Sequence, residues 1–229
     1  MKIYACSDLH VSPEHFSRPA RAFLEEAVQE ADLTLLCGDI YEGSWFLLEE
    51  SIKSPNGQDL GELIRKLPKA VVIKGNHDWI LEQYVDFPVL ENHPFEMDGK
   101  IYYATHGWRE YDLPVGWLAP IYRYILPLLP VLAKWWTSRQ SPRTLKLAAL
   151  KSGGHDLRYW RRVREMSNRA IFQAIKEDRI PIWGHSHHKH IDTYEGWQAI
   201  NCGAFSGTDV GGIVIQDGEP REWKFERRE

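Results

Sequence analysis

Short apolar runs rich in Ile, Val, Leu, Tyr and Cys occupy residues 2–6, 33–37, 70–74 and 101–105. The first three are separated by segments with apolar positions at helical spacing, so the pattern predicts strands of a largely buried sheet joined by crossover helices. The first crossover is predicted from Ser17 to Ala31, where Phe23, Leu24, Ala27 and Val28 recur at helical spacing and Ser17 caps the start. A second, shorter one is predicted from Asp59 to Leu67. Beyond residue 180, Ile180 to Trp183, His190 to Tyr194, Trp197 to Asn201, Gly212 to Gln216 and Glu222 to Phe225 read as strands, with hairpin turns at Glu195-Gly196 and Asp217-Gly218. The alternation is that of an α/β chain. Its 229 residues, without internal repeat or low-complexity linker, fit one domain over 1–229.

The middle of the chain breaks this rhythm. Leu113 to Trp136 is strongly apolar, but Pro114, Pro120, Pro127 and Pro130 interrupt it and Arg123 and Lys134 charge it. No uninterrupted span of the roughly 20 residues a bilayer requires is left, and short helices capping a groove or lying at an interface fit better. From Asp156 to Asp178, Leu157, Trp160, Val163, Ala170, Ile171, Ala174 and Ile175 make a helical stripe. The expectation is a helical lid inserted at about 108–178.

Composition adds two facts to this picture. Ten Trp is unusually many, and charge is segregated: Lys134 to Arg169 carries ten Lys and Arg against Asp156 and Glu165, in a chain of net charge −4. That basic block expects an anionic partner, whether substrate phosphate, a membrane surface or a nucleic-acid backbone. Lys151 and Arg158 are its expected substrate-binding positions. Cys6, Cys37 and Cys202 form no metal-type or redox-type pair, which fits buried thiols in a reducing cytosol. The start of the chain carries no signal-peptide pattern. The expected location is cytoplasmic, with peripheral contact at the inner face of a membrane if residues 113–136 meet lipid. No protein partner is expected.

Five short motifs follow apolar strands: Asp8-Leu9-His10, Gly38-Asp39, Gly75-Asn76-His77-Asp78, His106-Gly107 and Gly184-His185-Ser186-His187. Strand carboxyl ends are where sites assemble in α/β sheets. Two adjacent divalent ions need a carboxylate that bridges them, with imidazoles and oxygens completing each shell, and such a pair activates water for attack at phosphorus. Asp39 is the natural bridge. A set of carboxylate, amide oxygen and imidazole suits Mn²⁺ first, with Fe or Zn²⁺ next. His188 and His190 read as a surface or supporting pair, and His15, His93 and His155 as ordinary surface histidines.

In these five motifs, spanning residues 3 to 190, the chain resembles the calcineurin-like metallophosphoesterase superfamily. The resemblance implies two packed β-sheets flanked by helices. It also implies that Asp8, His10 and His187 hold one metal, that Asn76, His106 and His185 hold the other, and that Asp39 bridges. By the same resemblance His77 contacts the phosphate and assists the leaving oxygen, while Asp78 orients His77. Within the superfamily the chain is most similar to the UDP-2,3-diacylglucosamine hydrolases of lipid A synthesis. The similarity lies in overall length, in the apolar, aromatic and basic insert between His106 and His185, and in the closing Gly203-Ala204-Phe205. It implies hydrolysis of a lipid-linked nucleotide to UMP and a lipid phosphate under an acyl-binding lid. His77 and Trp108 stand where those hydrolases usually carry Arg and Asp. Two alternatives follow: a phosphodiesterase acting on nucleotides or nucleic acid, and a metal-free scaffold.

Overall fold

A computed structural model describes residues 1–44, 46–107, 171, 175, 178–194, 197–205 and 210–225. Its first sheet contains β1 (Lys2–Cys6), β2 (Leu33–Cys37), β3 (Ala70–Ile73), β4 (Val89–Leu90), β10 (Ile213–Gln216) and β11 (Glu219–Glu222), in the order β11-β10-β1-β2-β3-β4. The run β1-β2-β3-β4 is parallel, and β10 and β11 are antiparallel additions. The second sheet, β5 (Asn92–Met97), β6 (Lys100–Thr105), β7 (Ile180–Trp183), β8 (His190–Tyr194) and β9 (Trp197–Asn201), runs β5-β6-β7-β9-β8. There β6, β7 and β9 are parallel, with antiparallel strands at both edges.

Strand alternation builds the layers. Ile3, Ala5, Leu33, Leu35 and Ile73 point from the first sheet into one core with Tyr102, Ala104, Ile180, Ile182 and Ile200 of the second. Tyr4, Cys6 and Leu36 point the other way, onto helices α1 (Arg18–Glu30) and α3 (Pro55–Lys66), the latter preceded by the short α2 (Leu48–Lys53). Both faces of the first sheet are therefore covered, which is why its parallel strands read as continuous apolar runs. On the outer face of the second sheet, Trp183 and Ala199 meet Ile171 and Ile175, which are helical residues one turn apart. The two packed sheets flanked by helices are the architecture expected from the sequence.

Ser17 caps α1, its side chain accepting the amide of Ala20 at 3.2 Å. Several elements differ from the sequence reading. Helix α3 begins at Pro55 rather than Asp59, with Ser54 as its cap, and α2, β4 and β5 were not predicted. The last strand lies at Glu219–Glu222 rather than 222–225, because the two-residue turn Asp217-Gly218, with φ of 52° and 79°, turns the chain back at once. Apart from Ile171, Ile175 and residue 178, the expected lid lies outside the described residues, as do Lys151 and Arg158. Among the described residues no helix is long and apolar enough to cross a membrane. The three cysteines are buried free thiols.

Candidate metal centre

The motifs leave the carboxyl ends of β1, β2, β3, β6 and β7, drawn from both sheets, and the backbone laces them together. Asp8 N donates to Gly38 O and His10 N to Asp39 O, both at 3.0 Å; Gly184 N donates to His106 O at 3.2 Å. To point side chains inward immediately after a strand, the chain turns through left-handed conformations: φ is 54° at Asp8, 47° at His10, 51° at Asp39, 63° at His185 and 55° at His187. Such values are uncommon outside glycine and cluster where surrounding structure enforces them, with Asp and His among the tolerant types. Gly184 is required by close approach, since a Cβ there would lie 1.8 Å from Ser7 Oγ.

Three donor groups result, each with one ligand atom per residue lying within 4.8 Å of the others: Asp8, His10 and His187; His10, Asp39 and His77; and Asp39, His106 and His185. Asn76 joins the last, its Oδ1 lying 3.1 Å from His106 Nε2. The structure thus brings together all seven residues to which the resemblance assigned metals.

Hydrogen bonds fix how the imidazoles face. His106 Nδ1 donates to the carbonyl of Cys37 at 2.8 Å, which turns Nε2 toward Asp39 Oδ2 at 3.3 Å. His10 Nδ1 donates to Glu42 at 3.1 Å, which turns its Nε2 toward that of His187 at 3.3 Å. Two bare ring nitrogens so placed repel each other, whereas two nitrogens bound at about 2.1 Å to one tetrahedral ion are about 3.4 Å apart. Asp8 is fully buried; its Oδ2 accepts from His185 N at 2.9 Å, but its Oδ1 has no hydrogen-bond partner. That orphaned oxygen lies 3.1 Å from His187 Nε2 and 3.8 Å from His10 Nε2. A buried carboxylate oxygen without a partner is costly unless a cation meets it, so the donor set fits a metal ion.

The electrostatics point the same way. Burial pushes the Asp39 carboxyl up, but His106 and His77 outweigh it and hold it well below the usual range. Burial likewise pushes Asp8 up, against the stronger pull of His187 and His106 downward. Conversely, burial draws the His106 imidazole down, yet Asp39 and Asp8 raise it to about 10. For His77, burial is outweighed by Asp39 and Glu42, and the ring is held at about 9.

Asp78 was expected to orient His77. Its buried carboxylate accepts the amides of Gly75 and Ile40, each at 2.7 Å, and of Tyr41 at 3.2 Å, pinning the β2 and β3 loops together. Burial and then the Asp39 charge push its carboxyl up to about 6. The partner of His77 Nδ1 is Glu42, at 2.8 Å. Sequence reasoning missed Glu42, although it stands three residues after Asp39 and immediately before Gly43. His190, read as one of a surface or supporting pair, is buried edge-on against Trp183.

No curated protein matches the chain. Among solved structures, the E. coli phosphoesterase YfcE aligns at 15% identity over 95% of this chain and 89% of its own, with a TM-score of 0.52. An archaeal phosphodiesterase aligns at 17% identity over 97% and 99%, with a TM-score of 0.47. Zinc-bound Vps29 from Entamoeba histolytica aligns at 15% identity over 96% and 89%, with a TM-score of 0.49. At these identities only the fold is carried over, and the YfcE alignment supports it. The calcineurin-like phosphoesterase profile matches residues 1–189, and the chain belongs to that family.

Proposed function

We propose that this phosphoesterase hydrolyses a phosphodiester or pyrophosphate bond with two divalent ions, Asp8, His10 and His187 holding one, Asn76, His106 and His185 the other, and Asp39 shared between them. One observation carries the reading: Asp39, almost fully buried, belongs to two of the three donor groups, one shared with His10 of the first proposed set and one with His106 and His185 of the second. The nitrogen and oxygen donors favour Mn²⁺, with Fe or Zn²⁺ also suited. When bound, the ions supply Lewis-acid activation of water and neutralise charge on the phosphoryl group.

The chain's own residues do the rest. In the metal-free chain Asp39 and Glu42 favour the His77 imidazolium, its Nδ1 donating to Glu42, and its side chain is 20% exposed. Its Nε2–H is therefore available to a phosphoryl or leaving-group oxygen, and loss of that proton to the leaving oxygen completes bond cleavage. Glu42 fixes the ring, and Asp78 fixes the backbone on which it stands.

The favoured substrate is a lipid-linked nucleotide of the UDP-2,3-diacylglucosamine type, cut to UMP and a lipid phosphate. This rests on the apolar and basic insert, in which burial would hold acyl chains while Lys151 and Arg158 meet phosphates. The experiment is Mn²⁺-dependent turnover of that lipid nucleotide beside an aryl phosphodiester, with products identified. Efficient release of UMP and lipid phosphate supports the lipid reading. Cleavage of the aryl ester alone removes it and leaves the two-ion hydrolase standing.

A further inference from the structure

We infer that Asn201 is a positioning residue for the metal centre, holding the Gly184-His185-Ser186-His187 loop in its ligand-presenting shape; this rests on the two-ion reading above. Asn201 ends β9 opposite Trp183, the last residue of β7, and it is completely buried. Where the β7 ladder stops, its side chain takes over. Nδ2 donates to Gly184 O at 3.2 Å and to Ser186 Oγ at 2.9 Å, while Oδ1 accepts from Gly203 N at 2.9 Å. Cys202 N adds a backbone bond to Trp183 O at 2.7 Å.

Both N–H groups of the amide are thus spent on the one loop that supplies a residue to each proposed ion. That loop carries two of the left-handed residues, His185 and His187, and its shape lets His185 N reach Asp8 Oδ2. A left-handed pair will relax unless something holds it, and the carboxamide is suited to the task because a donor must face Gly184 O and an acceptor must face Gly203 N. Asn201 acts through the loop and not on substrate.

The test compares wild type, Asn201→Ala and Ser186→Ala by Mn²⁺ titration calorimetry and by activity as a function of Mn²⁺, with Leu24→Ala as a core-destabilised control. Outer partners of metal ligands are worth about 10- to 100-fold in metal affinity. Asn201→Ala is expected to weaken Mn²⁺ binding by that factor while kcat at saturating Mn²⁺ recovers to within several-fold. Leu24→Ala should lower Tm with Mn²⁺ affinity unchanged. Ser186→Ala, which removes one of the three bonds and decides the matter if Asn201→Ala does not fold, should weaken binding a few-fold. Wild-type affinity in folded Asn201→Ala, or in Ser186→Ala where the former is unfolded, overturns the inference alone. Absence of Mn²⁺ binding in wild type overturns the two-ion reading and this inference with it.

Discussion

Glu42 accepts from Nδ1 of His10 and of His77, and its Oε1 also takes the amide of Ser44 at 2.7 Å. One carboxylate thereby sets the facing of a proposed ligand and of the proposed proton donor. Glu42→Gln keeps the shape but turns an amide N–H toward one of the two rings. It is expected to lower kcat about 10- to 100-fold, part of the 10²- to 10⁴-fold that a positioned acid contributes, as steady-state kinetics will show. Asp39→Ala, which removes the shared ligand, is expected to reduce activity to background. A second residue-scale consequence concerns protons. With its imidazole raised to about 10, His106 carries a proton on Nε2 at neutral pH when no metal competes. A metal needs that nitrogen bare, so loading expels the proton and affinity should rise with pH toward about 10. Calorimetry in two buffers of different ionisation enthalpy will detect proton release; pH-independent affinity contradicts the account. The seven candidate ligands were legible because each follows an apolar strand. Glu42 was not, because its partners lie 32 and 35 residues away and meet it only in the fold.

At the level of elements, the caps and turns explain what the sequence disclosed. Ser17 and the apolar stripe made α1 readable almost to the residue. Ser17→Ala removes the bond to the Ala20 amide and is expected to cost about 1 kcal/mol of stability in urea denaturation, with turnover unchanged because α1 packs on the face of the sheet away from the second sheet. Strand β5 escaped notice for a physical reason. Asn92, His93 and Pro94 have low strand preference, and Pro94 is tolerated because, among the described residues, β5 is an edge strand paired only with β6. Its turn, Asp98-Gly99 with φ of 53° and 70°, is the same signal that was read at Asp217-Gly218. Helix α2 has only six residues and no side-chain cap, too little periodicity to stand out.

For the whole molecule, the two sheets share one core and bring the residues after their strand ends to one set of donor groups, so occupancy of that site bears on global stability. An ion bound to the native state at about 100 times its Kd contributes about 2.7 kcal/mol, which for a chain of this size is a rise of roughly 5–10 °C in Tm. Thermal melts should show that rise on adding Mn²⁺ and its loss on chelation, and Asp39→Ala should show neither. The α/β class was legible because its buried strands are continuous apolar runs, while the two-sheet sandwich was implied by the family resemblance of the five motifs. The proposed substrate depends on the insert, which follows no strand rhythm and whose basic block suits several anionic partners.

Metal content and turnover, measured together, decide whether the protein is a two-ion hydrolase. Protein stripped with a chelator is titrated with Mn²⁺ while hydrolysis of an aryl phosphodiester is followed. A two-ion hydrolase gives no turnover when stripped and recovers it with saturation at two equivalents per chain. Turnover that survives chelation, or a chain that binds Mn²⁺ without hydrolysing any phosphoester, contradicts that assignment.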